Sequence, residues 1–117
     1  MRRKPGALLP LEVEICECAA ELRREGMTEV HGYELAKRLA DAAGRRSLTA
    51  YGTLYRALAR LEQMGLVTSR WEDPQQAARE SRPVRRLYTL TPAADRAVRA
   101  ANREALTEHR RRRWAPA

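Results

Sequence analysis

Apolar residues recur at helical spacing through Leu8, Leu11, Ile15, Cys18, Ala19 and Leu22, which predicts an amphipathic helix over residues 8–25. Pro10 suits its first turn, where a missing N–H is harmless, and Gly26 supplies a left-handed stop. A shorter helix is expected over residues 32–42, burying Leu35, Leu39 and Tyr33, with Gly44 and the arginines after it making a turn. The third helix, residues 49–64, divides most cleanly. Thr49 is a good N-cap, and Gly65 fits the stop position. At roughly 100° per residue, Ala50, Tyr51, Leu54, Ala57, Leu58 and Leu61 share one arc. Thr49, Gly52, Thr53, Arg56, Arg60 and Gln63 share the opposite one, and Tyr55 sits at the border.

After Gly65 the pattern shortens. Residues 66–71 and 86–90 carry β-formers such as Val67, Thr68, Trp71, Tyr88 and Thr89. The polar stretch between them, residues 72–85, reads as a long mobile loop joining two antiparallel strands. Thr91-Pro92 then marks a helix start, and that helix extends to about residue 113, roughly 33 Å long. The expected fold is mainly α with a small β-hairpin wing: a winged helix-turn-helix over residues 8–90 and a C-terminal dimerisation helix over 91–113. Residues 1–7 and 114–117 are left as tails.

Composition refines this picture. With 117 residues and no Phe, the chain has one core built on Leu, Val and Ala, thin enough that association would help it. The net charge is +8, but Arg2, Arg3, Lys4 and Arg110, Arg111, Arg112, Arg113 place much of it at the two ends. Within the body, residues 42–61 hold no acid and contain Arg45, Arg46, Arg56 and Arg60. A second basic segment carries Arg79, Arg82, Arg85 and Arg86 against Glu80. Two basic segments on a balanced body are the footprint of phosphate contact. Glu12, Glu14 and Glu17 interrupt the N-terminal apolar stretch, so neither a signal peptide nor a membrane span is expected and a cytoplasmic location follows. Cys16 and Cys18 are two apart in a helix, point to opposite faces, and read as reduced thiols.

The candidate chemistry lies on the third helix and the loop. Thr49 and Thr53 donate or accept hydrogen bonds, Arg56 reaches guanine or a phosphate, and Arg60 sits further back where phosphate is the expected target. A charged helix face is also what a solvated surface looks like, and the loop arginines tip the balance toward DNA. Arg79, Arg82, Arg85 and Arg86 suit minor-groove or backbone contact. His31 either caps the second helix or touches backbone phosphate. With His109 and the two cysteines it makes no zinc spacing, and no catalytic or nucleotide motif is present, so neither an enzyme nor a cofactor is expected. Glu12 and Glu14 are placed on a solvated helix face, and Trp71 in the core or at its rim.

Five blocks, in order, carry a resemblance: His31-Gly32-Tyr33-Glu34-Leu35; Tyr51-Gly52-Thr53-Leu54-Tyr55; Arg60-Leu61-Glu62 with Gly65-Leu66-Val67; Ser69-Arg70-Trp71-Glu72; and Arg85 and Arg86 leading into Tyr88-Thr89-Leu90-Thr91. Over residues 8–95 the chain resembles the PadR family of bacterial regulators, in its short form. The resemblance implies a third helix that reads DNA, a C-terminal helix that pairs subunits, and transcriptional repression often relieved by a small effector. Tyr33 and Tyr51, inside these blocks, complete the candidate DNA face. The stretch from Leu22 to Val30 is longer than the family usually has, and Ala94 stands where the family commonly has Gly. Some relatives line a drug-binding pore with a tryptophan of the dimer helix. Leu106 occupies that place here, so the site does not carry over. The pairing stripe is Ala94, Val98, Ala101 and Ala105, a 4-3-4 spacing suited to helix pairing.

The expected protein is therefore a homodimeric regulator of a palindromic double-stranded operator. A weakly specific architectural DNA-binding protein is the alternative within that class. A winged-helix protein adaptor is the alternative outside it, disfavoured because interface cores are depleted in charge.

Overall fold

A computed structural model describes residues 7–42, 44 and 51–114. The expected contacts Arg45, Arg46 and Thr49 lie outside the described residues. Helix α1 (Pro10–Arg24) is followed by a two-residue strand β1 (Val30–His31), α2 (Gly32–Ala42) and α3 (Tyr51–Gln63). Strand β2 (Val67–Trp71), a short helix α4 (Pro74–Arg79), strand β3 (Arg86–Leu90) and the long α5 (Pro92–Trp114) complete the chain. The architecture expected from the pattern is present: a mostly helical chain with a small antiparallel sheet.

Helix ends follow from single residues. Gly26 at φ +96° and Gly65 at φ +74° sit just past α1 and α3. Around each, two amide bonds close the Schellman geometry: Met27 to Leu22 and Gly26 to Arg23, then Leu66 to Leu61 and Gly65 to Glu62. The wing is attached where α3 ends, because Thr91 donates its hydroxyl to the Gly65 carbonyl at 2.7 Å and its N–H to Leu66 at 3.0 Å. Thr91 thus stands at the start of α5, but its hydroxyl ties two elements together.

The sheet has three strands in the order β1-β3-β2, all antiparallel, with Val30 opposite Tyr88 and Ser69 also opposite Tyr88. The first strand was not expected, since two residues are too short to show a period of two. The 72–85 stretch also differs from the mobile loop foreseen. Asp73 accepts from the Gln75 N–H at 2.9 Å, Pro74 occupies the first helical position, and one and a half turns of helix follow.

The core gathers Ile15, Leu22, Leu35, Leu54, Leu58 and Leu61, each fully buried, with Leu8, Val30, Leu66 and Val67 at its edge. Burying each such side chain contributes about 1.5–3 kcal/mol before chain entropy is set against it. Helix α1 is central, touching α2, α3, α5 and β3. Tyr33 is not in this core. Leu35, Ala36, Leu39 and Ala40 fill the buried side of α2, leaving Tyr33 exposed on the other.

A second correction concerns Glu12, which is 1% exposed and not on a solvated face. It lies in the apolar stripe between Leu8 and Ile15. Its carboxylate accepts the Leu9 N–H at 2.7 Å and pairs with the Arg60 guanidinium of α3. A buried carboxylate is tolerable only with such partners.

Among the described residues, helix α5 packs against the body along its first half. Ala94 is buried, and Ala97, Val98 and Ala101 pack partly against the core. Beyond residue 101 its side chains are exposed apart from half-buried Glu108, and Trp114 ends the helix instead of opening a tail.

Candidate nucleic-acid interface

Gly32, at the start of α2, lies directly against Tyr55 of α3. A Cβ there would fall 2.5 Å from the Tyr55 hydroxyl, so a larger residue would push that side chain aside. Beside that contact lies an open cleft of about 400 Å³, lined by His31 and Tyr33 from β1 and α2, Tyr55 from α3, and Trp71, Arg85, Arg86 and Tyr88 from the wing. Among the described residues no carboxylate lines it.

The side chains in this cleft are disposed as donors. His31 Nδ1 accepts the Glu34 N–H at 3.3 Å, and burial, then the charge of Arg85, pulls the imidazole pKa down. The neutral ring therefore carries its proton on Nε2. Both expectations for His31 are compatible: it caps α2 and keeps a donor free. Arg86 donates to Ser69 Oγ at 3.1 Å and stacks over the Trp71 ring at 5.1 Å. Trp71 is 61% exposed, so it is a surface platform and not core.

On α3, Tyr51, Gly52, Thr53 and Arg56 are all exposed. Tyr51, placed on the apolar arc by the pattern, stacks on Tyr55 with ring centres 6.2 Å apart. Among the described residues Arg56 has only a long 3.5 Å contact, to Thr53 Oγ1. Arg60 shares this arc but is engaged inward, with Glu12 and, at 3.2 Å, the Ala7 carbonyl.

The wing arginines divide in the same way. Arg82 is 17% exposed and bridges Glu72 and Glu80, each through Nη2 at 3.0 Å. Glu72 also accepts the Arg85 N–H at 2.8 Å. The Arg82 hydrogen bond holds the Glu72 carboxyl down to about 2. Glu72 and Arg82 thus close the base of the wing, while the guanidinium of Arg85 forms no ion pair among the described residues. Arg70 and Arg38 are likewise paired, with Glu29 and Glu25. Sequence reasoning missed this closure because Glu72 and Arg82 are ten residues apart in a stretch without periodicity.

Elsewhere, Ala94 of the proposed stripe is covered by its own subunit, Val98 and Ala101 are half covered, and Ala105 and Leu106 are exposed. A groove of about 230 Å³ runs between α1 and α5, lined by Cys16, Ala20, Leu90 and Val98 among others. Burial raises both thiols to about 11, so Cys16 and Cys18 stay protonated at neutral pH. Among the described residues no three metal-ligating side chains gather, and no helix is long and apolar enough to cross a membrane.

Three helices, with the third standing beside an antiparallel wing, define a winged helix-turn-helix protein with an added C-terminal helix. Residues 22–100 match the transcriptional regulator PadR-like family. The chain belongs to that family.

Its fold is similar to a transcriptional regulator from Clostridium thermocellum, Cth-833 (TM-score 0.68, 21% identity, covering 91% of this chain and 93% of that one). A PadR family regulator from Eggerthella lenta is 26% identical, with TM-score 0.59 and 92% and 89% covered. Bacillus subtilis PadR, solved in complex with operator DNA, is 18% identical with TM-score 0.58, covering 77% of this chain and 45% of that one. No curated protein matches in sequence.

Proposed function

We propose that this chain is a homodimeric repressor that binds a palindromic operator, one α3 per half-site. The observation that carries this reading is the convergence of α2, α3 and wing on one cleft lined by His31, Arg85 and Arg86 and, among the described residues, by no carboxylate. A phosphate of the duplex backbone fits there, on His31, Tyr33, Arg85 and Arg86, while Gly52, Thr53 and Arg56 face the major groove. Gly52 matters as open space, since a Cβ there meets only Arg56 Nη1 at 3.8 Å and the backbone can approach the bases. Arg60 and Arg82 act by holding the reading surface in place. That Bacillus subtilis PadR, which shares this fold, was solved in complex with operator DNA supports operator DNA as the partner here.

In this reading dimerisation rests on α5, whose second half is exposed among the described residues apart from half-buried Glu108. A second copy laid along Val98, Ala101, Ala105 and Leu106 and into the α1–α5 groove would cover it. Repression relieved by a small effector is the regulatory mode that family membership suggests.

The test is a gel shift on the DNA upstream of the protein's own coding sequence, with excess random competitor, alongside a reporter driven by that DNA. A discrete shift and reduced reporter output are expected. Diffuse smearing would instead indicate an architectural protein, and no shift a protein-binding adaptor.

A further inference from the structure

The register of the wing sets Val67, Ser69 and Trp71 of β2 opposite Leu90, Tyr88 and Arg86 of β3. Side chains alternate along a strand, so these six share one face of the sheet. Its inner end, Val67 and Leu90, packs in or against the core, and its outer end, Trp71 and Arg86, lines the cleft. Ser69 stands between the two. Its hydroxyl donates to Glu62 Oε1 at the end of α3, which leaves an oxygen lone pair to accept from Arg86 Nε at 3.1 Å. Across the strands, the Arg86 guanidinium lies 5.1 Å over the Trp71 ring. One face of the guanidinium is thus covered and its Nε is held. Among the described residues neither of its terminal amino groups has a hydrogen bond or an ion pair, with Glu62 or any other carboxylate. A guanidinium is a rigid planar fork, so fixing its plane and one nitrogen aims the remaining donors before an anion arrives and lowers the cost of ordering them.

We infer that Ser69 and Trp71 are positioning residues, which fix the Arg86 guanidinium so that its two terminal amino groups meet one phosphate of the DNA backbone. The inference rests on the operator-binding reading above.

The test is a double-mutant cycle, read by fluorescence anisotropy on operator and scrambled duplexes across a salt series. Arg86→Ala should weaken binding to both duplexes. The magnitude of its slope of log K against log salt should fall by about 2, at about 0.9 for each of the two phosphates that a dimer gives up. Ser69→Ala should weaken binding by about three- to tenfold, the worth of one hydrogen bond, and Trp71→Leu by about two- to fivefold. Ser69→Thr, which keeps the hydroxyl, should bind as wild type does. In an Arg86→Ala background neither Ser69→Ala nor Trp71→Leu should weaken binding further. Losses of full size in that background would overturn the inference, because the two residues would then act without Arg86. Wild-type affinity in either single variant would overturn it too. Wild type that binds neither duplex would instead refute the operator-binding reading.

Discussion

Arg56 and Arg60 are four residues apart on one helix face, and the sequence treats them as near equivalents. Their neighbours do not. Arg56→Ala removes an exposed guanidinium, so stability should be unchanged while operator binding weakens by about 1–3 kcal/mol for a specific base contact at one position per half-site. Arg60→Ala leaves the buried Glu12 carboxylate without its cation, so the fold itself should be destabilised by about 1–3 kcal/mol. Urea melts and operator titrations of both variants check this division. Equal stabilities would show that the Glu12–Arg60 pair does not hold α1 to α3. The polar arc was legible because a 3.6-residue period is local. The partner of Arg60 was not, because it lies 48 residues away. A local signal was present all the same: Glu12 interrupts the apolar stripe between Leu8 and Ile15, where a carboxylate must find a partner.

At the scale of elements, α1, α2, α3, β2, β3 and α5 fall where periodicity and end signals put them, within about two residues where both ends are described. The wing interior was misjudged. Asp73-Pro74 carries the same cap-then-proline signature as Thr91-Pro92, but Pro83 and the many charges nearby masked it. What orders the segment is the Glu72–Arg82 pair, and that predicts an acid response. Glu72 is held at about 2 in the folded wing against an ordinary 4.5. Its folded pKa is depressed, so the contribution of the pair is full above pH 4.5 and is lost as pH falls toward 2. In a Trp114→Phe background, emission from Trp71, which stacks under Arg86 beside this latch, should change across that window. Arg82→Gln should flatten the profile and shift emission already at neutral pH. Identical profiles with and without Arg82 would show that the latch does not order the wing.

At the scale of the molecule, the proposed second copy would cover the second half of α5, which is exposed among the described residues apart from half-buried Glu108. The chain extends 63 Å along its longest axis against 31 and 26 Å across. Val98→Asp, at the half-covered seam, is expected to shift sedimentation from dimer toward monomer while leaving α3 and the wing untouched. A wild-type chain that sediments as a monomer of 13.4 kDa at micromolar concentration would refute the pairing. The stripe of Ala94, Val98, Ala101 and Ala105 was readable as a periodicity. How much of it the chain's own core covers depends on packing against α1, which no local pattern reveals.

The central claim is that two copies of α3 read two half-sites of one operator. A hydroxyl-radical footprint on the upstream duplex tests it most directly. Two protected patches related by a dyad are expected, their centres separated by one helical turn of DNA, about 34–36 Å, or a multiple of it. In Arg56→Ala the same patches should need more protein to appear. Uniform protection along the duplex, or a single patch without a dyad mate, would contradict the account.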